Sequence, residues 1–317
     1  MRFFFSIVLC FSCFAAHAQS WPSKPVRMVV AYPPGGGIDV MARQLADKLT
    51  PAWGQPVVVE NKPGANTIVA TDAVAKSDHH TILMTTDATF SINPHLYAKL
   101  PYHPQRDFAP VTMLVLLQQM LVAHPAVPFN DLKGLIAAAK AKPGSINYAS
   151  YGSGSQPHLA GEMLKNRAGI DLVHVPYKGI SLAVPAVIAG EVQLTFAGIA
   201  TSTGPLKSGR IKAIAIGGHQ RSALFPEVPT FAELGFPEVE THAWFGLFLP
   251  AGAPAEAITK IYQSTRKILD EPDFRQRQLI EKGYDVVGSS PEDFTAYMKK
   301  DSDNRARAVR ISGAKAE

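Results

Sequence analysis

Short apolar runs alternate with amphipathic stretches along most of the chain. A β-branched run occupies residues 26–31, and apolar residues then recur at helical spacing from Ile38 to Leu49. Further apolar runs lie at residues 57–60 and 82–85. This alternation predicts an α/β fold in which helices cover both faces of a sheet of parallel strands.

A second strand–turn–helix unit follows about 120 residues after the first. Residues 145–150 read as a strand and residues 151–155 as a tight loop, with a helix beginning after them. Ser155 is suited to cap that helix, Pro157 to its first turn and Gly169 to its end.

The two units share a glycine-rich turn at the start of a helix. The first amides of a helix lack internal partners, and the helix dipole favours an anion there by about 0.3–1 kcal/mol. Glycine lets a ligand approach the backbone closely. Each turn alone is better explained as a simple strand–helix connection, but the pair favours a clamp on one carboxylate.

The sharper phosphate and nucleotide motifs are incomplete. Gly35 and Gly37 match a dinucleotide fingerprint, but Val40 stands where its third glycine belongs. A P-loop requires Gly-Lys-Ser/Thr, whereas Gly37 is followed by Ile38 and the acidic Asp39. Nucleotide binding is therefore disfavoured.

Catalytic and metal motifs are also weak. The G-x-S-x-G pattern of serine hydrolases fails around both Ser153 and Ser155, so these serines and His158 fit a cap and a pocket better than a nucleophile. Adjacent His79 and His80 lack a third ligand at a suitable spacing. We expect neither catalytic residues, nor a metal, nor a cofactor.

The N-terminus has the pattern of a secretory signal. Arg2 precedes an apolar run that ends in the small-x-small sequence "AHA", which predicts cleavage after Ala18. The run is short for a membrane anchor, and the contexts of Cys10 and Cys13 are poor for a lipoprotein. Both cysteines lie in this segment, so the mature chain would have no disulfide. We expect a periplasmic protein.

Composition adds little to this expectation. The 317 residues are 46% hydrophobic and 18% charged, which is enough for two lobes with large cores. The formal net charge of +5 comes from scattered basic residues without interleaved aromatic ones. Nucleic acid is therefore not an expected partner.

Several blocks of sequence resemble the Bug family, the periplasmic solute-binding receptors of tripartite tricarboxylate transporters. They span nearly the whole mature chain and read "WPSKPVRMVVAYPPGGGIDVMAR", "VVVENKPGA", "INPHLY", "AKPGSINYASYGSGSQPHLAGEMLK", "HVPYKG", "PEVPTFAELG" and "WFGLFLPAGAP". The resemblance implies a two-lobed type II periplasmic-binding-protein fold with hinge-crossing strands. It divides the chain into a signal peptide (1–18), lobe 1 (21–122 plus 243–317) and lobe 2 (123–242).

The resemblance also implies a carboxylate in the cleft between the lobes, held by residues 35–37 on one side and 153–155 on the other. Together with the analysis of the turns, it gives these candidate ligand-binding residues: Tyr32, Pro34, Gly35, Gly36, Gly37, Asp39, Thr86, Asp87, Tyr151, Ser153, Gly154, Ser155, His158, Tyr177, Ala197 and Gly198.

The chain departs from the family pattern at several loops. Asn66 and Thr67 stand where the family pattern has two glycines. Their side chains either reach the ligand or form part of another turn. Asp87 stands where many relatives have a small neutral residue. Three orientations of its side chain are open at this point: toward the pocket, toward solvent, or as a helix cap. Pro185 lies inside an expected helix, which predicts a kink or a later helix start.

The predicted function is capture of a small organic carboxylate by a monomer whose lobes close on it. Transporter membrane subunits are the partners implied by the resemblance. Two alternatives remain at this point: an exported hydrolase-like enzyme acting on a carboxylate or ester, and a sensor that presents its ligand to another protein.

Overall fold

The structure is a computed structural model that describes residues 21–217, 221–222, 224–239 and 241–313. The predicted signal segment, its cleavage site and both cysteines lie outside these residues. Within them, no helix combines the length and apolar character needed to cross a membrane.

The described residues form one sheet of ten strands. The strands are β1 (Val26–Val30), β2 (Val57–Asn61), β3 (Thr81–Thr86), β4 (Phe108–Ala123), β5 (Asn147–Ser150), β6 (Val173–Pro176), β7 (Leu194–Gly198), β8 (Lys212–Ile216), β9 (His242–Pro250) and β10 (Tyr284–Val286). The four runs predicted as strands are all present, with bounds that differ by one or two residues.

Helices connect and cover these strands. They are α1 (Gly37–Trp53), α2 (Ile68–Ala75), α3 (Asn93–Leu96), α4 (Leu132–Ala141), α5 (Gln156–Ala168), α6 (Ile180–Ala189), α7 (Ile199–Lys207), α8 (Ala255–Asp270), α9 (Pro272–Phe274) and α10 (Pro291–Ser312). Short π- and 3₁₀-helical turns lie at Ala88–Ile92, Arg275–Leu279 and Ile280–Lys282. α6 passes through Pro185 and begins five residues before it, so the predicted later start is wrong.

The sheet is mixed rather than wholly parallel. Its order is β2-β1-β3-β9-β4-β7-β5-β6, with β8 and β10 each also paired to β4. β1 pairs in parallel with β2 and β3, and β5 with β6 and β7, as the alternation predicted. β4 and β9 run antiparallel to their neighbours between these two groups, which corrects the all-parallel prediction.

β4 and β9 connect the two parallel groups. The first part of β4 pairs with β9 from Phe108↔Pro250 to Gln118↔His242, and its last five residues pair with β7. A strand of this length cannot belong to one parallel group alone, because its two ends have different neighbours. We call the paired strands β4 and β9 the crossing ribbon.

Separate apolar cores lie on the two sides of the crossing ribbon. One packs α1 and α8 against the sheet through residues such as Leu45, Ile82 and Ile261, all fully buried. Another packs α5 against β5 and β7 through Tyr148 and Leu164. Fully burying one such side chain stabilises the fold by about 1.5–3 kcal/mol, so each core holds its own group of strands.

Candidate functional site

Three helices begin around a single cavity at the centre of the molecule. α1, α6 and α7 start after Gly36, Gly179 and Gly198, and all three glycines line the cavity. The cavity volume is about 70 Å³. Its described lining consists of Tyr32, Pro33, Gly36, Gly37, Ile38, Thr86, Leu117, Gln119, Tyr151, Gly179, Ile180, Ser181, Gly198, Ala200, Thr201, Ala243, Phe245 and Tyr284.

The start of α1 is shaped by a buried carboxylate. Gly35 adopts φ +87°, a left-handed conformation that glycine tolerates, and its N–H donates to Asp39 Oδ2 at 2.9 Å. Asp39 also accepts from Arg43 and from Asn61 Nδ2 at 2.9 Å. Burial alone would raise the pKa of Asp39, but the hydrogen bonds from Arg43, Gly35 and Asn61 lower it overall. Asp39 therefore holds the glycine turn and does not line the cavity.

The starts of α1, α6 and α7 make the cavity electrostatically positive, although none of them contributes a charged side chain to its described lining. The first amides of each helix have no partner within the helix, and the aligned peptide dipoles place partial positive charge there. Ser181 and Thr201 add hydroxyl groups at the starts of α6 and α7. Convergent amides of this kind bind an anion such as a carboxylate.

Glycines allow the segments around the cavity to approach closely. A Cβ on Gly179 would lie 3.4 Å from the Pro33 ring, and one on Gly36 would lie 3.7 Å from Ile180 Cγ2. The turn before α1 and the start of α6 are therefore nearly in van der Waals contact, although they come from opposite sides of the crossing ribbon. These two segments therefore form the sides of a narrow cleft.

The floor of the cavity is apolar and comes from the crossing ribbon. Leu117 of β4 pairs with Ala243 of β9, and Phe245 lies two residues further along β9. Tyr284 of β10 pairs with Leu117 on its other side. Burial raises the pKa of Tyr284 to about 12, so its hydroxyl is neutral at physiological pH.

Two tyrosines form a polar edge beside this floor. Tyr32 and Thr86 share a hydrogen bond of 2.9 Å between their hydroxyls, and Tyr151 OH accepts from Gln119 Nε2 at 2.8 Å. The two tyrosine rings meet edge to face with centroids 6.4 Å apart. Burial raises the pKa of both tyrosines, so both are neutral hydrogen-bonding groups.

The cavity contains part of the predicted set of residues. Tyr32, Gly36, Gly37, Thr86, Tyr151 and Gly198 line it. Gly35 lines an adjoining recess that shares Gly37 and Tyr284 with the cavity. The other predicted residues do not line the cavity: Pro34, Asp39, Asp87, Ser153, Gly154, Ser155, His158, Tyr177 and Ala197.

The polar groups of the loop before α5 form hydrogen bonds within that loop and with the first turn of α5. Ser155 Oγ donates to the Gly152 carbonyl at 2.6 Å instead of capping α5, and the Gly154 N–H donates to His158 Nδ1 at 2.9 Å. Gly154 also packs directly on Leu96 of α3. Of the two loops expected to face each other, the cavity lining includes Gly36 and Gly37 before α1 and Tyr151 before α5, together with the starts of α6 and α7.

Asp87 belongs to a buried group of charged side chains. We call Asp87, Asp301 and Arg305 the buried charge cluster. Arg305 Nη2 lies 3.4 Å from Asp87 Oδ2 and donates to the His242 carbonyl at 2.6 Å. Arg305 Nε lies 3.3 Å from Asp301 Oδ1, and Trp244 Nε1 donates to Asp301 Oδ2 at 2.9 Å. Asp87 therefore faces neither the cavity nor solvent, and its side chain caps no helix.

The remaining predicted positions serve the packing around the cavity. Tyr177 packs, partly buried, against the core that contains Ala197, which is fully buried within β7. Asn66 and Thr67 form a turn with φ values of +47° and +79°, and both pair with neighbouring side chains. Across the residues that the structure describes, no group of three or more His, Cys, Asp or Glu side chains is arranged to hold a metal ion.

Sequence reasoning missed several lining residues. Gly179 ends the block "HVPYKG" and precedes α6, so its position before a helix was an available signal of a third helix start. Gln119 and Leu117 lie within an apolar strand, and Tyr284 comes from the far end of the chain. Only the tertiary structure brings these last three to the cavity.

The mixed sheet, crossing ribbon and central cavity define a periplasmic-binding-protein fold, which likeness to solved structures confirms. The chain belongs to the tripartite tricarboxylate transporter family receptors (TctC), whose sequence model matches residues 41–313. The predicted Bug-type receptor is therefore confirmed at the level of the family.

Individual relatives agree over nearly their full lengths. BugT of Bordetella pertussis (strain Tohama I) is 34% identical over 305 residues, which are 94% of this chain and 92% of BugT. Rpa4515 of R. palustris, solved with adipate, has a TM-score of 0.89 at 28% identity and covers 93% of this chain and 99% of its own. MatC from Rhodopseudomonas palustris, solved with bound malate, has a TM-score of 0.86 at 28% identity, covering 91% and 100%.

Proposed function

We propose that this protein is an extracytoplasmic receptor that captures a small organic carboxylate in the central cavity. The observation that carries the proposal is the convergence of the α1, α6 and α7 starts on one cavity. Their free amide N–H groups would donate hydrogen bonds to the carboxylate oxygens, and the glycines at their caps leave the backbone accessible. The relatives solved with adipate and malate support the same class of ligand.

The proposal extends to the organisation and location of the protein. Residues 21–122 with 243–317 would form one lobe and 123–242 the other, so that the cavity lies between them and closes on the ligand. Gly36, Gly37, Gly179 and Gly198 would contact the carboxylate. The protein would be a periplasmic monomer released by cleavage near Ala18, and it would deliver its ligand to transporter membrane subunits without chemical change.

A thermal-shift screen with a panel of organic acids tests this proposal. An acid present at 100 times its Kd stabilises the folded protein by about 2.7 kcal/mol, which raises the melting temperature by several degrees. The acid recovered after incubation should be unaltered, since the proposed function includes no reaction. A panel without any shift, or an acid that is consumed, would contradict the proposal.

A matched pair of variants locates the binding site. Gly36→Trp fills the cavity and should abolish the shift, whereas Gly36→Ala adds a single Cβ at an ordinary 3.7 Å from Ile180 and should retain most of it. Gly36 has φ −78°, so neither substitution strains the backbone. An undiminished shift in Gly36→Trp would place the ligand elsewhere.

A further inference from the structure

We infer that the cavity is specific for a monocarboxylate with an apolar body, rather than for a dicarboxylate. This inference rests on the proposed function and adds the chemical class of the ligand. It comes from the contrast between the helix starts on one part of the cavity wall and the floor supplied by the crossing ribbon.

The anion-binding part of the cavity leads directly onto its apolar part. A Cβ on Gly37, at the start of α1, would lie 2.5 Å from the Tyr284 hydroxyl and 4.0 Å from Phe245 Cζ, both on the floor. A carboxylate bound at the helix starts would therefore extend its carbon chain over Phe245, Leu117 and Ala243. Contact with these side chains removes aliphatic carbon from water and therefore favours an apolar chain.

The size of the cavity limits the length of that carbon chain. A volume of about 70 Å³ holds roughly five to seven water-sized groups at about 10–15 Å³ each. This corresponds to a carboxylate attached to a short aliphatic or compact body.

Three polar side chains beside the floor already bond to neighbours, and the buried Gln119 Oε1, which has no partner among the described residues, can only accept a hydrogen bond that a carboxylate cannot donate. The Thr86 hydroxyl is bonded to Tyr32, the Gln119 amide to Tyr151, and Thr201 Oγ1 donates to the Gly198 carbonyl at 2.9 Å. These groups are neutral, and the described lining includes no lysine, arginine or histidine. A second carboxylate placed here would lose its hydration without gaining a cation, which is strongly unfavourable.

Isosteric acids separate charge from shape. Succinate and 4-methylpentanoate have the same arrangement of non-hydrogen atoms, with an isopropyl group in place of one carboxylate. Adipate and 6-methylheptanoate form a longer pair of the same kind. We would measure Kd for all four acids by isothermal titration calorimetry at pH 7.5, with Gly36→Trp as the blocked control.

The branched monoacid of at least one pair should bind about tenfold or more tightly than its diacid, and binding should be lost in Gly36→Trp. Diacids that bind as well as or better than their isosteres would overturn the inference but leave the proposed receptor function intact. If none of the four acids binds while another diacid in the thermal-shift panel does, the inference also fails. Only a panel without any binding acid would count against the receptor itself.

Discussion

Substituting Asp87 tests whether the buried charge cluster carries one carboxylate more than its arginine can compensate. Asp87, Asp301 and Arg305 are 2%, 3% and 4% exposed, so water stabilises none of their charges appreciably. Asp301 holds the closer contact with Arg305, at 3.3 Å, and also accepts from Trp244. We expect Asp87→Asn to leave a balanced pair of Asp301 and Arg305.

The pKa of Asp87 gives the size and sign of the effect. Burial raises this pKa from 3.8 to about 6, although Arg305 opposes the rise. A difference of about two pKa units corresponds to about 3 kcal/mol. Because the folded pKa is raised, the folded state is favoured most below pH 4, and this contribution is lost as the pH rises through about 6. At pH 7.5, Asp87→Asn should therefore be up to about 3 kcal/mol more stable than the wild type, with almost no difference at pH 4.

Urea unfolding of both proteins at several pH values between 4 and 7.5 measures this difference. Circular dichroism and tryptophan fluorescence should report the same transition, so that a single free energy of unfolding applies. Asp301→Asn is the matched control: burial raises the pKa of Asp301, but Arg305 and hydrogen bonds bring it well below its usual range overall. That variant should be destabilised at pH 7.5. A pH-independent difference for Asp87→Asn, or clear destabilisation at pH 7.5, would refute the reasoning.

Two further substitutions test the segments that support the cavity without lining it. Gly154→Ala places a Cβ onto Leu96 and forces alanine to φ +78°, so we expect about tenfold weaker binding of the best acid by calorimetry. Adding Leu96→Ala should restore part of the affinity, and no restoration would show that backbone strain alone is responsible. Asp39→Ala removes the acceptor of the Gly35 N–H and should lower the free energy of unfolding by about 1–3 kcal/mol while weakening binding. Since the pKa of Asp39 is lowered, its contribution exists above pH 4 and should fade on acidification, whereas a constant loss would contradict this role.

Local sequence signals predicted the parallel parts of the sheet well. The β-branched runs and the glycines beside them specify β1 and α1, and Ser155, Pro157 and Gly169 mark α5 at the expected places. The antiparallel crossing ribbon was not visible in this way. Apolar residues in β4 show that it is buried, but its partners depend on contacts far apart in sequence.

The candidate site was predictable only where backbone chemistry creates it. Gly36 was identified because a glycine before a helix exposes amides, and it lines the cavity. Asp87 could not be placed, because Arg305, its partner, lies more than 200 residues away. The loop at residues 153–155 matches the same pattern as residues 35–37, yet Ser155 turns inward to bond Gly152. Composition at a turn does not reveal which way the turn points.

The crossing ribbon has a consequence for how such receptors diversify. It provides the floor of the cavity, while the segments proposed to contact a ligand's charged end are short and follow β1, β6 and β7. Substituting a few residues at these helix starts, or on the cavity floor, can change which ligand is bound without disturbing either core. Neither group of parallel strands can be exchanged independently of the other, however, because β4 runs unbroken through both groups. New preferences are therefore expected to arise by local substitution and not by recombination of halves.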